Sequence, residues 1–277
     1  VASISDYSGN LLFYTDGMTI YDRTHQPMVN GTGLNGHPSS TQSGVIVPLP
    51  NNDTRYIVFT VDYAYSDGDL YYSVVDMNQA GGNGAVVTKN VFLQSNSTEK
   101  ISAVRHSNQI DVWVVIHERE SNEFKSYLVT SSGVSSTVKS SFAGQIITNG
   151  VQGCLKFSTD GRYLGMATYH ERRVEVFNFN PGTGDVSFHS VFSFPDATYG
   201  VEFSADSHFL YASVSYDLKQ IYQINLGLKT RTLIASTGMA PGCMQMGPDG
   251  KIYVARYNRP DVVSRYLGVI NNPNEEG

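Results

Sequence analysis

Charge is scarce in this chain: Lys, Arg, Asp and Glu together make 16% of 277 residues, and they sum to −6. No basic run occurs anywhere, which excludes a nucleic-acid phosphate backbone as partner, because that contact needs clustered Lys and Arg. Long apolar runs are missing too. None approaches the ~20 residues that a membrane-spanning helix needs, so no direct membrane insertion is expected. No charged-then-apolar leader opens the chain, which reads as processed or cut from a longer polypeptide. There are two cysteines, Cys154 and Cys243, too few for a disulfide framework and without a C-x-x-C spacing. They hold equivalent places in two repeats and read as small buried residues. Helical periodicity is nearly absent.

What the sequence has in quantity is aromatic residues and glycine, with 18 Tyr, 13 Phe and 26 Gly. Aromatic side chains suit a half-buried pleated surface and glycine supplies positive φ, so many short strands joined by tight turns are expected. The stretches "GCLKFSTDGRYLGMA" from Gly153, "YGVEFSADSHFLYAS" from Tyr199 and "GCMQMGPDGKIYVA" from Gly242 share one order of features. Aligned on Asp160, Asp206 and Asp249, they are spaced by 46 and 43 residues. That is about the length of a propeller blade. Each unit reads as strand, polar turn, strand, alternating strand and weaker outer strand, a four-stranded antiparallel meander.

Six such units are visible, starting near residues 2, 42, 100, 152, 198 and 241. The expectation is an all-β fold, a β-propeller of four-stranded antiparallel blades with six or seven blades in the complete ring. Residues 1–277 form a single propeller domain, part of a longer chain. The first unit lacks an obvious outer strand, since "NGTGLNGHPSS" follows it, and the last has no completing strand before "INNPNEEG". Asp160–Gly161 and Asp249–Gly250 read as hairpin turns. Phe157, Phe203 and Met246 share an inner-strand position and are expected to be buried between blades.

The phrases "ASISDYSGNLLFYTDG", "DLYYSVVDMNQAGGNGAVVTKN" and "DVWVVIHERESNEFKSYLVTSSGV", with "STEK" and "SSTQS" the best matches, resemble the WD-repeat-like propeller module of large secreted surface proteins of Bacteroidota. Such proteins often carry a gliding-motility-associated or type IX sorting domain. The resemblance covers nearly the whole chain. It implies an extracellular or cell-surface location, a longer parent chain, and no enzymatic activity or catalytic residues. The partners expected are other domains of the parent chain or surface proteins, with glycans or peptide segments as candidate ligands of a polar mouth.

In a propeller, the loops that enter the first strand and those that join the second to the third emerge on one face. That gathers a ligand-binding rim of Gln42, Asp62, Tyr65, Glu99, Lys100, His117, Glu118, His170, Glu171, Tyr199, Tyr216, Tyr257 and Arg259, rich in acidic, amide and aromatic groups suited to polar ligands. No cofactor is expected beyond loosely bound calcium on the oxygen-rich loop "DYAYSDGD", which lacks the layout of an EF-hand. "HERE" and "HERR" supply imidazole and carboxylate, but a strand or turn points adjacent residues apart. No G-x-S-x-G elbow and no phosphate-cradling glycine loop is present. The first functional reading is therefore a non-catalytic module that binds or presents a ligand, and not an enzyme. The alternative is a propeller hydrolase of lactonase or glycosidase type, with an axial metal or carboxylate site, which would need acidic or histidine side chains converging on one cavity.

Overall fold

The computed structural model describes residues 1–63, 67–258 and 262–277. The chain divides into two compact units, residues 1–119 with 124–140, and residues 120–123 with 141–277. Among the described residues the regular structure is β-strand, apart from one turn of 3-10 helix at Ala80–Gly82. That turn reverses the chain within "NQAGGNG", where glycines at φ of 65° and 94° take a conformation other residues adopt only under strain.

The first unit holds three meanders. Strands β1 (Ala2–Ser5), β2 (Leu11–Thr15), β3 (Thr19–Asp22) and β4 (Pro27–Thr32) make the first. The second is β5 (Gly44–Pro48), β6 (Arg55–Val61), β7 (Leu70–Asp76) and β8 (Ala85–Gln94). A parallel pairing of Val29 with Ala85 joins the two into one sheet. The third is β9 (Ser97–Arg105), β10 (Val112–Glu118), β11 (Glu123–Thr130) and β12 (Gly133–Phe142). One core fills the space between the first and second meanders around Phe13, Ile20, Tyr56 and Val58. Another lies between the second and third around Ile57, Phe59, Ile101 and Ile116.

The second unit repeats the plan. Its meanders are β13 (Leu155–Phe157), β14 (Tyr163–Thr168), β15 (Arg173–Phe179) and β16 (Val186–Ser193), then β17 (Thr198–Phe203), β18 (Phe209–Val214), β19 (Gln220–Asn225) and β20 (Thr230–Ser236). The last comprises β21 (Ala240–Met246), β22 (Ile252–Asn258), β23 (Val262–Val263) and β24 (Gly268–Ile270), the latter two both paired with β22. Sheets buried on both faces lose their in–out alternation, and β18 is buried at every residue. Cys154, Val176, Phe203 and Leu210 belong to one core here, and Phe209, Tyr211, Met244 and Val254 to another.

The turns follow the repeat. Asp160 Oδ1 accepts from Ser158 Oγ at 2.7 Å and from the Arg162 N–H at 3.0 Å, with Gly161 at φ 71°. Asp206 makes the same pair of bonds with Ser204 and His208, although Ser207 fills the left-handed position at φ 62°. Asp249 and Gly250 repeat the backbone bend, with Tyr253 donating to the carboxylate at 2.9 Å.

Three expectations need correction. The first meander does have an outer strand, β4, whose pattern is weak because it leaves Val29 exposed and bends at Asn30 with φ 58°. The final meander gains β24 from "GVI". Of the three inner-strand residues, Phe203 is 1% exposed, whereas Phe157 and Met246 are only half-buried. Phe157 sits edge-on to Phe179 of its own sheet at 4.8 Å.

Candidate functional site

β13, β17 and β21 each begin a sheet, and they pack side by side. The repeat places Lys156, Glu202 and Gln245 at one position, directly before Phe157, Phe203 and Met246. Packing turns this column of the alignment into a row of touching side chains. Lys156 Nζ donates to Glu202 Oε2 at 3.1 Å and to Gln245 Oε1 at 2.7 Å. Glu202 Oε2 also accepts the Met246 N–H at 3.3 Å, and Oε1 accepts the Phe203 N–H at 3.2 Å. The Glu202 side chain is 7% exposed and that of Lys156 22%, while Gln245 is exposed. A buried carboxylate thus holds an ammonium at the edge of solvent. An ammonium has three N–H donors; among the described residues Glu202 and Gln245 engage two of them, which leaves a third for an arriving oxygen.

Two residues earlier on the same strand faces stand Cys154 and Cys243, whose sulfurs are 3.2 Å apart. The strand between them passes Gly200, where a side chain would run into the Gly242 carbonyl and the Cys243 Cα at 3.1 Å. Cys154 is buried and Cys243 half-buried, and neither is in a disulfide. The bond from Cys154 holds the Cys243 thiol below its ordinary range, and the Lys156 charge and the Tyr199 hydroxyl act in the same direction. Tyr199 meets Tyr169 edge-on at 6.0 Å, and Tyr169 meets His170 in the same way at 4.9 Å. The expected rim residues Tyr199 and His170 are therefore brought together through Tyr169, beside the cysteine pair.

The remaining rim residues are dispersed. In the second unit Glu171 clamps a loop: Oε1 accepts from the N–H groups of Thr148 at 2.6 Å and Asn149 at 3.1 Å, and Oε2 pairs with Arg173 at 2.5 Å. Arg173 also bonds Glu175 Oε2 at 3.0 Å, which commits these charges to the structure of the sheet. Tyr216 is exposed and Tyr257 half-buried. In the first unit Glu99 is buried and accepts from Thr41 N and Oγ1 at 2.8 and 2.7 Å. Gln42 Oε1 accepts the Ile101 N–H at 3.3 Å. Lys100 and His117 are fully buried, the His117 ring lying edge-on to Phe124 at 4.6 Å. Glu118 pairs with Lys125. Asp62, half-buried, accepts the Tyr63 N–H at 2.8 Å. Glu99, Lys100 and His117 thus stand inside the sheets and not on an exposed rim. Tyr65 and Arg259 lie outside the described residues.

At the turn end of β5 and β9 the first unit has a cleft of about 440 Å³, lined by Val47, Asn52, Asp53, Ala103 and Arg105 among others. No group of three or more His, Cys, Asp and Glu side chains is placed to hold a metal ion among the described residues. The Lys156–Glu202–Gln245 row lies in strands, outside the loops that defined the expected rim. The signal was present: three unlike polar residues in one column of an otherwise apolar repeat.

No protein-family model matches the chain, and no curated protein matches it. Solved structures do. A protein from Bacteroides uniformis, provisionally described as a 6-phosphogluconolactonase, is 15% identical with a TM-score of 0.59 over 97% of this chain and 87% of its own. The β-propeller domain of Cps50 (Swd1) from Myceliophteria thermophila is 14% identical, with a TM-score of 0.60 over 92% of this chain and 78% of its own. The periplasmic gluconolactonase PpgL of Pseudomonas aeruginosa is 13% identical, with a TM-score of 0.53 over 94% of this chain and 76% of its own. The expectation of a non-catalytic module without enzyme activity is corrected by this company, which includes two proteins provisionally described as 6-phosphogluconolactonases, a gluconolactonase and a luciferin-regenerating enzyme. At these identities the likeness establishes the fold: the chain is all-β and has a β-propeller fold.

Proposed function

We propose that this protein is a propeller hydrolase that opens lactone rings, with Lys156, Glu202 and Gln245 as its working row. The observation that carries the reading is the ion pair between Lys156 and the buried Glu202, open to solvent on the Gln245 side. Lactone hydrolysis needs a base to take a proton from water and a donor to hold the oxyanion that forms at the carbonyl. Glu202 supplies the first and the third N–H of Lys156 the second. Water oxygen bonds to the carbonyl carbon while Glu202 takes its proton. The ring C–O bond then breaks, and the proton passes from Glu202 to the departing alkoxide. The product is an open-chain hydroxy acid. The edge-to-face rings of Tyr169, His170 and Tyr199 beside the cysteine pair add aromatic surface that suits the apolar face of a sugar-like ring.

Glycoside cleavage is the lesser reading, because it uses two carboxylates about 5–10 Å apart across the bond, and the row has one. The resemblance to surface-protein propellers supports an extracellular or cell-surface setting, and the six meanders are read as propeller blades.

The test is a substrate panel for the wild-type protein: γ- and δ-lactones, sugar-acid lactones and aryl glycosides, followed by acid release or aglycone absorbance. Hydrolysis of a sugar-acid lactone well above its spontaneous rate, with no glycoside turnover, is the expected result. Spontaneous rates throughout the lactone set would overturn the proposal.

A further inference from the structure

The cysteine pair is a second chemical feature, separate from the hydrolytic row. Cys154 lies at the start of the fourth meander and Cys243 in the sixth, 89 residues apart in sequence, yet their sulfurs are 3.2 Å apart. The intervening fifth meander lets them meet only because residue 200 is glycine: its N–H bonds Ser213 Oγ at 2.7 Å, and that hydroxyl in turn donates to the Gly242 carbonyl at 3.0 Å. This small network fixes β17 against β21 and leaves no room for a side chain at Gly200. Cys154 is held in place in turn, its N–H bonded to the Tyr199 carbonyl at 2.8 Å.

We propose that Cys154 and Cys243 form a disulfide that ties β13 to β21 across Gly200. The oxidant is a disulfide, either glutathione disulfide or that of a thiol oxidoreductase, acting by exchange. Cys243 is the attacking thiolate, since the bond from Cys154 and the neighbouring Lys156 charge favour its ionised form. It bonds one sulfur of the oxidant and releases the other as a thiolate. Cys154, deprotonated, then bonds the Cys243 sulfur and expels the second thiolate. Two protein thiols and one disulfide become one protein disulfide and two thiols, so electrons and protons balance. Lys156 and Gln245 lie two residues beyond the two cysteines, so the cross-link also fixes both ends of their row.

The test uses the chain as it stands. Incubation with oxidised glutathione should lower the intact mass by two hydrogens, and a non-reducing digest should yield the Cys154 peptide joined to the Cys243 peptide. The melting temperature should rise by about 10 °C, as expected for closing so long a loop. Dithiothreitol should reverse the shift, and Cys154→Ser should abolish it. A persistent glutathione adduct, a covalent dimer, or two thiols still open to alkylation would each overturn the proposal. The wild-type masses decide this whether or not the serine variant folds.

Discussion

Asp196 shows how a single carboxylate is used to order a loop. It accepts the Ala197 N–H at 2.8 Å through one oxygen and those of Asp217 at 2.5 Å and Leu218 at 3.1 Å through the other. Burial opposes its ionisation, but the backbone N–H groups of Leu218, Ala197 and Asp217 outweigh this and hold its pKa below the ordinary carboxylate value. The folded state therefore favours the charged form. The stability this contributes is present above the ordinary value and is lost as pH falls through the lowered one. Asp196→Asn should flatten that part of the acid side of a pH–stability curve, read from urea melts between neutral pH and about pH 3.

Glu175 behaves oppositely. Burial pushes its pKa up despite the Gln145 N–H and the Arg173 guanidinium. Its folded state favours the protonated form, so its contribution is present below the ordinary glutamate value and fades as pH rises through the raised one. Glu175→Gln should remove this loss, and an unchanged slope above pH 4 in the same melts would contradict the assignment. Neither residue stood out in the sequence, because the burial that raises Glu175 and the distant N–H groups of Asp217 and Leu218 that lower Asp196 are created only by the fold.

Among the elements, β14 and β17 show how closely the meanders pack. A Cβ on Gly165 would come within 3.1 Å of Leu210 and 3.3 Å of Phe203. Gly165→Ala should cost about 1–3 kcal/mol by overpacking, and Phe203→Ala about 3–5 kcal/mol by leaving a cavity, both read by denaturant melts. A near-neutral Phe203→Ala would place that side chain outside the core. The elements legible in the sequence were those the repeat marks with a turn: Asp160, Asp206 and Asp249 each stand where a strand reverses. β4 and β24 were not legible, because outer strands bury little and so carry little pattern. The working row fell between these cases. Lys156, Glu202 and Gln245 lie in plain apolar strands, and only the packing of β13, β17 and β21 makes their three side chains one group.

For the molecule as a whole, the repeat was enough to give the propeller fold, and solved propellers confirm it over nearly the full chain. Function was less legible. The loops were polar as any exposed loop is, and they drew attention to Glu99 and His117, which the fold buries. A propeller places its first strands where side chains from separate repeats meet, and chemistry there depends on a few unlike residues set among like ones. In the proposed lactonase, Glu202 is the base. This role is tested most directly by kcat/KM on one sugar-acid lactone for wild type and Glu202→Gln, with melting temperatures measured alongside. A loss of about 10²- to 10⁴-fold at nearly unchanged melting temperature is expected. A variant that folds and hydrolyses the lactone at the wild-type rate would contradict it.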